Sequence, residues 1–139
     1  MATRFADNIT STLTAPPNVL IYGLDAPLAD ELGRALRTLA LSVKAEHCHD
    51  IAQCLTHLRE TGPKLVFCSF ENGLRTLLHA VSGDSLDVPV IAVTRHPEVH
   101  QWLDAMEAGA ADYCSAPFEP LHLEWILQSN IQTQFKTAE

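Results

Sequence analysis

The stretch that decides the fold is VPVIAVT at residues 88–94, followed by a helical segment and then by EAGAADYCSAPF at residues 107–118. The apolar run 88–93 predicts a buried strand that ends at the hydroxyl of Thr94. Residues 97–106 place large apolar side chains at helical spacing, and Gly109 is typical of a helix end. Residues 111–115 then predict one last short strand. The apolar side chains of the helical segment are Val99, Trp102, Leu103 and Met106.

Upstream of this stretch, the same alternation of strand and helix patterns begins at residue 18. Residues 19–24, 42–46 and 64–68 predict three earlier strands. One helix opens at Pro27, a second is capped by Asp50, a third covers residues 73–81, and a last helix covers residues 119–132. Five strands alternating with five helices predict an α/β fold with a parallel sheet covered on both faces. We expect the flavodoxin-like order 2-1-3-4-5, with any site at the carboxyl ends of strands one, three, four and five.

The length and composition indicate one folded domain. The chain has 139 residues, of which 47% are hydrophobic and 19% charged, enough to build a core. We predict a domain at residues 18–133, a flexible N-terminal arm at residues 1–17, and a C-terminal tail or linker start at residues 134–139. The arm lacks the pattern of a secretory signal, and no apolar run reaches the roughly 18–20 residues of a membrane span.

Charge and cysteine usage narrow the function further. The formal net charge of −8 argues against nucleic acid binding by this domain, because phosphate backbones favour clustered Lys and Arg. The four cysteines form no CxxC pair, which favours reduced thiols and a cytoplasmic location. No glycine-rich phosphate loop follows the first strand, so we expect no nucleotide or other cofactor.

The two stretches 62–69 (GPKLVFCS) and 88–118 closely resemble parts of a response-regulator receiver domain. The resemblance extends over about residues 18–133. It implies a fixed set of roles: an aspartate at the end of strand three accepts a phosphoryl group, and a pair of acids after strand one holds magnesium. A Thr or Ser ending strand four and a Lys ending strand five contact the phosphoryl oxygens. Such transfer depends on positioning and electrostatics.

Compared with that pattern, this sequence is expected to form the receiver fold but lacks most of the residues that carry out phosphorylation. Ser69 stands at the acceptor position, and a serine hydroxyl is a poor nucleophile without an adjacent base. Ala116 stands where the family has lysine, whereas Thr94 and one acid of the pair, Asp25, are retained. We therefore predict a pseudo-receiver that is not an enzyme. Its degenerate phosphorylation pocket comprises Leu24 and Asp25 at the acidic pair, together with Ser69, Glu71, Thr94 and Ala116.

Two further predictions follow from the resemblance. Tyr113 lies at the position of the family's switch aromatic residue, whose ring swings inward when the conserved Thr is pulled toward the phosphoryl group. Nothing in the sequence obviously pulls Thr94, so Tyr113 is either such a switch or simply a half-buried edge residue. The peptide bond Ala116–Pro117 is predicted to be cis, as between the lysine and proline of receivers.

The predicted function is protein binding or dimerisation independent of phosphorylation, in a regulatory domain of a bacterial transcription or signalling regulator. Receivers most often dock through the fourth helix, fifth strand and fifth helix, where this chain has surplus apolar residues. The alternatives are a stand-alone adaptor, a small enzyme on the same fold, or local packing of the two tryptophans against the N-terminal arm. The expected interface comprises Trp102, Met106, Tyr113, Trp125 and Ile126.

A cluster of histidines and cysteines admits two interpretations. His47, Cys48 and His49 are followed by Cys54 and His57, and these residue types are common metal ligands. Zinc-finger spacing is absent, however, and Cys54 also completes the apolar stripe of the second helix. The sequence therefore leaves open whether this cluster binds a metal or whether Cys54 belongs to the core and the histidines lie at the solvent edge.

Overall fold

The structure, a computed structural model, describes residues 18–39 and 43–138, with side chains described up to Ile131. The described residues form a parallel sheet with strand order 2-1-3-4-5, which confirms the predicted fold. Each strand is followed by a helix. The elements are β1 Asn18–Tyr22, α1 Ala26–Arg37, β2 Lys44–Cys48, α2 Ile51–Glu60, β3 Leu65–Ser69, α3 Leu74–Gly83, β4 Val90–Thr94, α4 Val99–Ala108, β5 Asp112–Ser115 and α5 Pro120–Ala138.

The hydrophobic core has two parts, one on each face of the sheet. The first packs α1 and α5 against the sheet, and the second packs α2, α3 and α4 against the other face. Alternate residues of one strand enter different parts, as Val19 and Leu20 do, because side chains alternate across a strand. The central strands β3 and β4 are buried along their whole length, as expected for parallel strands covered on both faces.

The starts of α1 and α2 are set by side-chain capping. Asp25 accepts a hydrogen bond at Oδ1 from the amide of Leu28 (2.8 Å), and Asp50 accepts one from the amide of Gln53 (2.7 Å). Each carboxylate satisfies a backbone donor that lacks a partner within its helix. Gly109 ends α4 in the left-handed conformation, with φ of +113°. These helix boundaries were predictable because their signals lie in neighbouring residues.

Most elements begin or end one or two residues away from the predicted boundaries, and β2 and α5 illustrate the reasons. Strand β2 begins two residues later than expected, because as an edge strand it shows only a weak apolar pattern and its place is set by pairing of Lys44 with Asn18. Helix α5 continues to Ala138 and so includes residues 134–138 of the predicted tail. No Gly or Pro follows Pro120 to stop it. The predicted arm at residues 1–17 lies outside the described residues.

Candidate functional site at the carboxyl edge of the sheet

The residues of the predicted pocket gather at one edge of the sheet. Ser69 and Thr94 are the last residues of the adjacent strands β3 and β4, and both are buried. Leu24 and Asp25 follow β1, and Ala116 follows β5. Parallel strands bring their carboxyl ends to the same edge, so residues far apart in sequence meet here.

The loop after β1 lies directly against the loop after β3. Gly23 has φ of +84°, and a Cβ at this position would lie 2.5 Å from the carbonyl oxygen of Asn72 and 3.3 Å from Cβ of Ser69. No real side chain tolerates the first of these distances, so the approach requires glycine. The acceptor position of the receiver resemblance is therefore packed closely by the neighbouring loop.

The hydroxyl of Ser69 takes part in a local turn. Its Oγ accepts a hydrogen bond from the amide of Asn72 at 3.0 Å. That partner is a donor and cannot remove the hydroxyl proton, which is what activation of a serine nucleophile requires. Within the described part of the chain, the hydrogen bonds of Ser69 thus provide loop structure and no activating base.

Thr94 is held by a carboxylate that the sequence did not reveal as its partner. The buried Oγ1 of Thr94 donates to Oε2 of Glu71 at 2.6 Å and accepts from the amide of His96 at 3.3 Å. A short bond to an ionised acceptor is among the stronger hydrogen bonds in proteins. The sequence indicated no partner for Thr94, and Glu71 supplies one because it follows β3 by two residues and reaches across to β4.

Asp25 is engaged by two donors. Its Oδ1 accepts from the amide of Leu28 and from Nη2 of Arg95 at 2.8 Å. The backbone hydrogen bond from Leu28, followed by the Arg95 guanidinium, lowers the pKa of this carboxyl group. Arg95 was not predicted as a site residue. Its position directly after Thr94, at the end of β4, could have indicated that its side chain lies near the site.

Leu24 and Ala116 contribute packing. Both are partly buried and pack against the part of the core beneath α1 and α5. The amide of Ala116 donates to the carbonyl of Thr94 at 3.1 Å, which ties the end of β5 to β4. The Ala116–Pro117 peptide bond is cis, as predicted.

Comparison with solved structures agrees with this architecture. The receiver domain of NtrX from Brucella abortus matches with 20% identity and a TM-score of 0.69, covering 83% of this chain and 98% of that one. A receiver domain of a Francisella response regulator matches with 16% identity and a TM-score of 0.70, covering 85% and 98%. Full-length FixJ from B. japonicum matches with 23% identity and a TM-score of 0.70, covering 86% of this chain but only 59% of that one.

This chain has the fold of a receiver domain. No protein-family profile matches the sequence, and no curated protein does. At identities this low, the likeness to the solved structures establishes the fold alone. None of the helices in the described ranges combines the length and apolarity that crossing a lipid bilayer requires.

Tyr113, the predicted switch residue, is half-buried. Its hydroxyl donates to Oε1 of Gln101 at 3.0 Å, and its ring meets Phe70 edge-on, with centroids 6.4 Å apart. Burial raises the pKa of Tyr113. The side chain therefore links β5 to helix α4 and to the loop that carries Glu71.

One predicted interface residue is wrong. Ile126 has no exposed surface, whereas Trp102 and Trp125 are 47% and 59% exposed. Ile126 follows Leu123 by three residues and so lies on the same face of α5, against the sheet. Moreover, α4 and α5 pack on opposite faces of the sheet, so the two tryptophans flank β5 from different sides.

In the histidine and cysteine cluster, the cysteines belong to the core and the histidines lie nearer the surface. Cys48 and Cys54 are buried, and burial raises the pKa of Cys54 to about 12. His47 and His49 are exposed, and Nδ1 of His57 lies 3.5 Å from Oε2 of Glu46. Within residues 18–39 and 43–138, no three His, Cys, Asp or Glu side chains are arranged to hold a metal ion.

Proposed function

We propose that this chain is a phosphorylation-independent receiver-like module that works by binding protein. The observation that carries the proposal is Ser69 at the end of β3, buried and hydrogen-bonded to the amide of Asn72. Its hydroxyl lacks both the negative charge of an acceptor carboxylate and a base to create one. The module is accordingly neither a phospho-acceptor nor an enzyme.

The hydrogen bond between Glu71 and Thr94 supports the same proposal. In receivers, the corresponding hydroxyl contacts the phosphoryl oxygens. Here that hydroxyl already donates to a carboxylate at 2.6 Å. The protein's own negative charge thus stands where an added phosphoryl charge would act. Any two-state equilibrium of this module is then set by its sequence, and only a partner that binds one state more tightly would shift it.

The edge does not fit the magnesium ion that receiver chemistry implies. Mg²⁺ is held by hard oxygen ligands, usually carboxylates and waters. Of the two positions of the acidic pair, Leu24 is apolar, and Asp25 is bonded to the Arg95 guanidinium. A guanidinium beside the remaining carboxylate opposes a second cation there. Phosphoryl transfer assisted by a metal therefore has no basis in these residues.

We further propose that the module belongs to bacterial signalling, in the cytoplasm, as part of a larger transcription or signalling regulator. The FixJ chain is longer than the region matched here, which fits a regulatory domain joined to other parts. A stand-alone adaptor is the alternative. Reading the encoding gene beyond the codon for Glu139 separates the two.

The phosphorylation test uses acetyl phosphate and magnesium with intact-mass detection. We expect no adduct of about 80 Da, the mass of an added phosphoryl group. A receiver with an acceptor aspartate serves as the positive control for the donor. The proposal fails if the wild type gains the adduct and the Ser69→Ala variant does not.

A restored variant sharpens this test. Leu24→Asp, Ser69→Asp and Ala116→Lys together return the missing acid, acceptor and cation. Gain of an adduct in this variant, with none in the wild type, attributes the loss of chemistry to these three positions. An adduct of equal yield in both proteins would contradict the role assigned to Ser69.

A further inference from the structure

Helix α4 carries an apolar stripe on its outer surface. Val99 is 84% exposed, Trp102 47%, Leu103 48% and Met106 38%. Their spacing of i, i+3, i+4 and i+7 places them side by side along one part of the helix surface. We call these four residues the α4 stripe. An exposed row of this size, including a tryptophan, is typical of an interaction site.

Helix α4 packs against the rest of the domain through the side that carries Ala105. Ala105 is the buried residue within Val99–Ala108, and it packs with the part of the core beneath α2, α3 and α4. Gln101 accepts the hydrogen bond from Tyr113 on β5. The stripe therefore keeps a large exposed apolar surface after α4 has docked, although only Val99 is mostly exposed.

From His96 to Ile131, the sequence that contains the stripe carries formal charges of one sign. Residues 96–131, which hold α4, β5 and most of α5, contain six acidic residues and no Lys or Arg. Glu98, Asp104 and Glu107 lie within or directly before α4, and only Glu98 has a nearby imidazole, Nε2 of His100 at 3.1 Å. The chain has 9 basic and 17 acidic residues in total, so this region is strongly biased. The remaining acids are Asp112, Glu119 and Glu124.

The negative charge near the stripe favours some binding partners over others. A second copy docked through the same face would place these carboxylates opposite one another, and like charges across an interface are unfavourable. Residues 1–17 contain one Arg and one Asp and offer no basic complement. A partner that carries Lys or Arg beside apolar side chains satisfies both features of the surface.

We infer that the α4 stripe binds an amphipathic basic segment of another protein, with apolar residues on the stripe and Lys or Arg against the flanking carboxylates. An amphipathic helix presents this combination along one face. The inference rests on the proposed protein-binding function and names the chemistry of its partner. Electrostatic attraction also speeds the encounter and makes it sensitive to salt.

The test uses two synthetic helical peptides that share the same leucine positions. One peptide has Lys at every polar position, and the other has Glu. The Lys peptide should bind with at least roughly tenfold higher affinity by calorimetry, and should weaken as salt rises from about 50 to 500 mM. Equal binding of the two peptides, or none by the Lys peptide, overturns the inference. The phosphorylation result is independent of either outcome.

Matched variants locate the binding site. Trp102→Ala should weaken the Lys peptide about tenfold or more, because central aromatic side chains dominate such interfaces. Trp125→Ala removes an exposed tryptophan on the opposite face of the sheet and should leave binding within about twofold. Glu107→Gln, beside Leu103 on the α4 surface, should weaken binding, whereas Glu60→Gln on α2 should not. Equal effects of the two tryptophan variants, or a wild-type dimer broken by Trp102→Ala in ultracentrifugation, would overturn the assignment.

Discussion

Helices α4 and α5 flank the edge strand β5 on opposite faces of the sheet and use similar apolar patterns differently. On α5, the row Leu123, Ile126, Leu127 and Ile131 is buried against the sheet. On α4, a row with nearly the same spacing faces outward, and the small residue Ala105 makes the buried contact. Apolar spacing thus indicates that a helix forms and has an apolar side. It does not indicate which side docks.

The largest expected difference lies within α5. Ile126→Ala should lower the free energy of unfolding by about 2–5 kcal/mol, because it opens a cavity beneath a fully buried side chain. Trp125→Ala, at the adjacent exposed position, should change it by no more than about 0.5 kcal/mol. Urea denaturation followed by circular dichroism measures both. Similar losses for the two variants would contradict the burial of Ile126 and exposure of Trp125.

The contact side of α4 should show a smaller effect. Ala105→Leu adds volume where the helix meets the core, and we expect a loss of about 1–3 kcal/mol from overpacking. Leu103→Met, a volume-conserving change on the exposed stripe, should be close to neutral in the same denaturation series. If Ala105→Leu is neutral as well, the helix does not dock through this residue.

The weakest of these links is the hydrogen bond between Tyr113 and Gln101. Tyr113→Phe should cost about 1 kcal/mol and should increase amide exchange in α4 more than in α5. Gln101→Met removes the acceptor of the same bond. The double variant should therefore cost less than the sum of the single variants, and strict additivity would show that the two side chains do not interact.

At the carboxyl edge of the sheet, the sequence predicted the positions of the site residues but not the hydrogen bonds between them. The positions of Ser69 and Thr94 at strand ends, and of Ala116 directly after β5, were predictable because each strand is a short apolar run with a clear end. The two side-chain hydrogen bonds of the site, from Thr94 to Glu71 and from Arg95 to Asp25, were not predicted from the sequence. Glu71 and Thr94 are 23 residues apart, and Asp25 and Arg95 are 70 apart. No spacing rule within one element relates such pairs.

The sequence by itself determined the order of strands and helices, the parallel sheet and the capped starts of α1 and α2. Each depends on periodicity or on a side chain that bonds to a backbone amide three residues away. The tertiary structure alone decided that Ile126 is buried, that α4 docks through Ala105, and that Glu71 holds Thr94. These outcomes depend on which surfaces meet after the sheet has formed, and packing of the whole core sets that choice.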